Sequence, residues 1–120
     1  MIVGAFLAES ASAVDNKLNV SGGVLFRYTL DADRLARFLL VVLTQTETGN
    51  PDRRGDVEIW PPTDDEPLRM PFELPAAATT AEVGFAIFGI EVTLPVDGRW
   101  VIVVSGGAGA ISLPLLVSGG

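Results

Sequence analysis

At 120 residues the chain is read as a single domain spanning 1–120, long enough to bury roughly two-thirds of its unfolded surface without disulfides or metals. A hydrophobic content of 48% against 19% charged, with mean hydropathy +0.41, excludes disorder, and a net charge of −7 excludes nucleic acid, whose binding draws on clustered Lys and Arg. The absence of Cys removes thiol nucleophiles and thiolate metal sites, and the absence of His removes the usual general base, so a Ser-His-Asp hydrolase is excluded and neither an enzyme nor a cofactor is expected.

In chain order, Ile2–Glu9 is apolar on both alternating sets and reads as a strand covered on both sides. Ser10–Lys17 is small and polar with Asp15-Asn16 as a turn pair, and Ser21-Gly22-Gly23 interrupts the extended Leu18–Val20 as a bulge or bend. From Val24 the alternation places Val24, Phe26, Tyr28 and Leu30 on a core face and Arg27 and Thr29 in water. Asp31–Arg37 is a short connection with one helical turn, Asp31 as its N-cap and Asp33 paired to Arg37. Phe38–Thr46 is apolar through FLLVVL and reads as a strand buried on both sides near the middle of a sheet.

Thr48–Gly55 is a loop carrying two Gly, a Pro, an Asn and an Asp. Val57 and Ile59 then point one way while Asp56, Glu58 and Trp60 point the other. Pro61–Pro67 is a second loop, rigid at both ends and acidic in the middle. In Leu68–Leu74 the alternation is clean, and Pro71 makes this an edge strand. Ala76–Ala81 is a connection without apolar anchors. Val83–Ile90 is a strand whose glycines at 84 and 89 mark a bulge or a close backbone contact, and Ile90, Val92 and Leu94 continue the alternation to a corner at LPVDGRW (Leu94–Trp100). Val101–Val104 and Ile111–Val117 are the last two strands, with SGGAG (105–109) as the hairpin turn between them.

Two targeting readings are set aside on the same grounds. MIVGAFLAESASA ends in small residues, as a cleavage site does, yet it lacks a basic leader and Glu9 breaks its apolar run. The uncharged tail after Arg99 is interrupted by SGGAG and Pro114, so strands rather than a membrane span are expected. A Cys-free chain fits a cytoplasmic location.

Seven or eight short strands with turn signals between them make the expected fold all-β, an antiparallel sandwich. LPVDGRWVIVV resembles the corner of immunoglobulin-like and fibronectin-type sandwiches, where the aromatic is a Tyr whose hydroxyl bonds back to the chain; Trp100 in its place puts that bond in question. Across nearly its whole length, through AVDNKLNVSGG (Ala13–Gly23), FLLVVL (Phe38–Leu43) and VGFAIFGIEVTLPVDGRWVIVV (Val83–Val104), the chain also resembles a family of small uncharacterised bacterial proteins known as a domain of unknown function. That resemblance implies an immunoglobulin-like β-sandwich and transfers no catalytic residues.

Candidate binding residues are Asp64, Asp65 and Glu66, whose oxygens suit a cation, Trp60, an aromatic beside two prolines suited to stacking on a carbohydrate or a protein, and Asp15 at a loop end. The spacing of the three acids matches no calcium loop, and a solvated turn accounts for them equally. The leading expectation is a non-catalytic protein-interaction or self-assembly module using an apolar face or an edge strand; the alternative is a ligand-binding module for carbohydrate or cation at the end loops. Leu94, Trp100, Ile102 and Val104 are expected in the core.

Overall fold

Asp15 and Asn16 both take left-handed backbone conformations, φ 52° and 61°, the two-residue hairpin geometry that Asp and Asn tolerate best. They join β1 (Ile2–Val14) to β2 (Lys17–Gly23). The computed structural model describes residues 1–46, 52–107 and 109–119; residues 48–51 of the expected Thr48–Gly55 loop and Ala108 of the expected SGGAG turn lie outside them. The remaining elements are β3 (Arg27–Leu30), β4 (Leu35–Gln45), β5 (Arg54–Trp60), β6 (Leu68–Glu73), α1 (Ala76–Thr80), β7 (Val83–Thr93), β8 (Gly98–Gly106) and β9 (Gly109–Gly119).

The strands form two sheets, β2-β1-β4-β7 and β3-β9-β8-β5-β6, which makes the fold a β-sandwich. The described residues form nine strands where seven or eight were expected, and the sandwich is not wholly antiparallel, since β3 runs parallel to β9. The core lies between the inner faces. From the four-stranded sheet it takes Leu7, Phe38, Leu40, Val42, Ile90 and Val92, and from the other Val57, Ile59, Trp100, Ile102, Val104 and Leu115. Phe72 and Phe88 meet across the layers with ring centroids 4.9 Å apart. β4 is an interior strand and β6 an edge, and Leu94, Ile102 and Val104 are buried, as the patterning requires.

Several local readings are corrected. The expected bend at Ser21–Gly23 is the end of β2, reached with unchanged register. Val24 and Phe26 are exposed, at 66% and 51%, because the strand begins only at Arg27, and Leu25, whose N–H donates to Leu7 O at 2.7 Å, packs on the core in their place. The expected Asp31–Arg37 helical turn is instead a non-helical turn over 31–34 followed by the start of β4: Arg34 sits at φ 59°, Asp33 Oδ1 accepts from Leu35 N–H, and Arg37 pairs with Glu91 of β7 instead of Asp33. β7 keeps one register with β4 from Val83 to Thr93, so of the two expected readings of its glycines the bulge does not occur, and the close backbone contact does at Gly84, against Ala78.

The Ala76–Ala81 connection contains α1, which does have anchors. Ala78 and Thr79 are buried, and Thr44 of β4 donates its hydroxyl proton to Ala78 O, so the helix closes one end of the core. Gly84 is where this plug meets the sheet: a Cβ there would lie 2.8 Å from Ala78 O and 2.9 Å from Thr44 Oγ1. Gly84→Ala would gain about 0.4–1 kcal/mol through the unfolded chain, but overpacking against backbone costs about 1–3 kcal/mol. The net expectation is a lower urea midpoint with an unchanged slope in equilibrium unfolding, against a control Gly109→Ala, whose Cβ would meet nothing within 4 Å.

Candidate functional site

Trp100 enters β8 at the corner and is only 2% exposed. Its indole Nε1–H donates to Val96 O at 3.0 Å, four residues upstream, which satisfies the one polar group that the buried ring carries. The corner is tied to the β3–β4 turn by Arg34: Leu94 N–H donates to Arg34 O and Arg34 Nε donates back to Leu94 O, both at 3.0 Å, while Arg34 Nη1 reaches Asp97 Oδ1 at 2.8 Å. The hydrogen bond from Arg34, and after it the Gly119 backbone N–H, hold the Asp97 carboxyl below its ordinary value of 3.8.

Beside this corner a cleft of about 340 Å³ opens between the β5–β6 loop and the β7–β8 loop. Ile59, Leu68, Val96 and Trp100 give it apolar walls, and Asp65 and Glu66 are among its lining residues. A larger concavity of about 470 Å³, near Arg54, Phe72 and Gly106, is at the opposite end; its Arg54 guanidinium already donates to both Asp52 oxygens, at 3.1 and 3.3 Å.

The predicted binding residues do not converge. Asp65 and Glu66 share the cleft, with Thr63 Oγ1 donating to Asp65 Oδ2 at 2.7 Å. Asp64 is exposed in the same loop and does not line the cleft, and Trp60, 41% exposed, stands on the outer face of the five-stranded sheet opposite Val101. Asp15 is exposed at the tip of the first hairpin. Among the described residues no three carboxylates come together as a group able to hold a metal ion.

The feature that patterning half-revealed is on the other sheet. Ile2–Glu9 and FLLVVL were expected to be covered on both sides, but the five-stranded sheet covers one face only. The other face carries Phe6 and Ala8 of β1, Leu39, Val41 and Leu43 of β4, and Phe85 and Ile87 of β7, all outside the core. Val41 is fully shielded by its own sheet, flanked in register by Phe6 and Ile87, while Phe6, Leu39, Leu43, Phe85 and Ile87 are half-buried. Charge appears on this face at one end, where Arg37 Nε lies 3.4 Å from Glu91 Oε2.

No family model, no curated protein and no solved structure matches the chain. The candidate sites therefore rest on the geometry of this molecule: an apolar sheet face, and a small cleft beside a locked corner. No helix among the described residues is long and apolar enough to cross a membrane.

The Asp97 carboxylate gives the corner a pH signature. Its proton is bound more weakly in the folded chain than in the unfolded one, so its contribution to stability is complete above about pH 5 and is lost as pH falls through the lowered value. Asp97→Asn is expected to flatten the fall in urea midpoint between about pH 5 and pH 2.5 relative to the unsubstituted chain. An equally steep fall in both would show that the Arg34–Asp97 pair is not coupled to folding. Trp100→Ala is expected to lower stability by about 3–5 kcal/mol in the same assay.

Proposed function

We propose that the chain is an immunoglobulin-like sandwich acting as a non-catalytic protein-interaction or assembly module, with the outer face of the four-stranded sheet as its contact surface. The observation that carries this reading is the unbroken apolar face of β1, β4 and β7, because soluble single chains seldom leave contiguous apolar patches unused. The immunoglobulin-like assignment is supported by strand order: β1, β4 and β7 neighbour one another as strands A, B and E do, and β6, β5, β8 and β9 as C′, C, F and G do. It is supported also by the Trp100–Val96 bond, which supplies with an indole N–H what a corner Tyr supplies with its hydroxyl. Membership of the bacterial family resembled, and a cytoplasmic setting, belong to the same reading.

A second reading is favoured by the cleft beside Trp100: a ligand module for a carbohydrate or a cation. Among the described residues no three carboxylates converge, and the apolar walls of the cleft suit a carbohydrate or an organic cation better than a bare metal. Trp100 lines the cleft, so a ligand there would change its fluorescence; no response to a panel of glycans, organic ammonium compounds and Ca²⁺ would remove this reading.

For the leading reading, Leu43→Glu places a charge on the central strand of the apolar face, between Gly4 and Phe85, and Val103→Glu places one on the outer face of the other sheet, opposite Ser112 and Glu58. Association measured by light scattering, or by crosslinked retrieval from native lysate, is expected to fall about tenfold or more with Leu43→Glu and to persist with Val103→Glu, both being checked for folding by circular dichroism. A chain that scatters as a monomer at high concentration and retrieves nothing would overturn the proposal.

A further inference from the structure

The two sheets end in four edge strands, β2, β7, β3 and β6. Unpaired edges invite further strand pairing, and three of these carry features that discourage it. β3 is four residues long and begins on Arg27. β6 holds Pro71 between Arg69 and Glu73. β2 begins on Lys17 and carries Gly22 at φ 66°, outside the extended range a further strand would pair with. β7 has none of these: its eleven residues contain no proline and no basic residue, its register with β4 is continuous, and its one charge, Glu91, is accompanied by Arg37.

We propose that β7 pairs antiparallel with β7 of a second copy, about a two-fold axis through Ile87, joining two four-stranded sheets into one of eight strands. The proposal rests on the interaction reading given above: the second copy lies beside the outer face and extends it, so the apolar surfaces of the two copies run on as one. A two-fold axis normal to the sheet keeps outer residues on the outer face, so paired positions must have the same parity. Centred on Ile87, Phe85 of one copy faces Gly89 of the other, Ala86 faces Phe88, and Gly84 faces Ile90, so each of these pairs sets a small residue against a large one. A Cβ at Gly89 would touch only Leu39 Cδ2, at 4.0 Å, which leaves room for the Phe85 ring. Centring on Phe88 would bring two Phe88 side chains together and set Phe85 against Glu91; centring on Ala86 would set Phe85 against Ile87. Charge agrees with the first register. Two chains of net charge −7 repel at a distance, but this ladder places each Glu91 opposite Val83, at its two far ends.

The chain contains no cysteine, so Ile87→Cys introduces a unique thiol at the axis. Under mild oxidation, or with a short bismaleimide, it is expected to form covalent dimer at least tenfold faster than Leu68→Cys, which is 44% exposed on the β6 edge. Phe85→Lys, folded by circular dichroism, is expected to shift the scattering mass from dimer to monomer. A dimer in which Ile87→Cys crosslinks no faster than Leu68→Cys overturns the register, while loss of association in Leu43→Glu would leave the outer-face reading standing. A monomeric chain whose Leu43→Glu variant loses a different retrieved protein overturns the second-copy proposal and supports the broader one. A monomer that retrieves nothing overturns both.

Discussion

A strand apolar on both faces can bury only one of them in a two-layer sandwich, and β4 is such a strand. Leu40 and Val42 fill the core, while Leu39, Val41 and Leu43 face away from it, flanked by β1 and β7 of their own sheet. β1 and β7 repeat the arrangement beside it. The consequence is a layer too apolar for its place on the surface. An apolar patch of order 400 Å² releases about 10 kcal/mol when covered, at about 25 cal/mol per Å². Association costs about 4–15 kcal/mol, so the face by itself sustains only weak contact. Directional hydrogen bonds along a strand edge are what would turn that contact into a defined geometry, and β7 supplies the edge next to the face.

The opposite layer is built differently. On its outer face Glu58 pairs with Arg69 at 2.9 Å, and Asp56, Arg99 and Ser112 stand among Trp60, Val101 and Val103. Exposed cross-strand ion pairs of this kind add about 0–1 kcal/mol each, but they keep a sheet face hydrated. The exposed Trp60 is thus one aromatic in a mixed surface, whereas Phe6, Phe85 and Ile87 belong to a continuous apolar one. This contrast, and not the count of exposed aromatics, separates the two faces as interaction surfaces.

Patterning read the core well where side chains alternate strongly. Val57 and Ile59 against Asp56 and Glu58, and Leu94, Ile102 and Val104 around the corner, fall as their alternation demands. It failed where backbone pairing, not side-chain burial, holds a strand. Ser10–Val14 has few apolar side chains and still extends β1, because β2 supplies its hydrogen bonds. α1 was hidden for a related reason: Ala78 and Thr79 are small, and their burial follows from Gly84 and Thr44, which approach from distant parts of the chain. The phase of β3 itself followed the alternation, Tyr28 and Leu30 inward and Arg27 and Thr29 outward, but ahead of it Leu25, bonded to Leu7, takes the core position that alternation gave to Val24 and Phe26. The candidate surface was written in the sequence as double-sided apolarity, but whether a third layer covers it is a matter of topology, which alternation does not encode.

The corner explains why the ends of this sandwich are less open to partners than its sheet. Trp100 is bonded to Val96, and Arg34 bonds to Leu94 in both directions, with Asp97 as its ion partner. These contacts tie the β3–β4 turn to the β7–β8 loop, which forms one border of the cleft. A loop held at several points is pre-organised, so a small ligand could enter without an ordering cost, but the same ties leave the loop little freedom to reshape around a protein. The sheet face needs no such reshaping. It is already laid out by β4 between β1 and β7, so recognition there depends on matching another apolar surface, and a second β7 paired at the edge would lengthen that surface in the same plane.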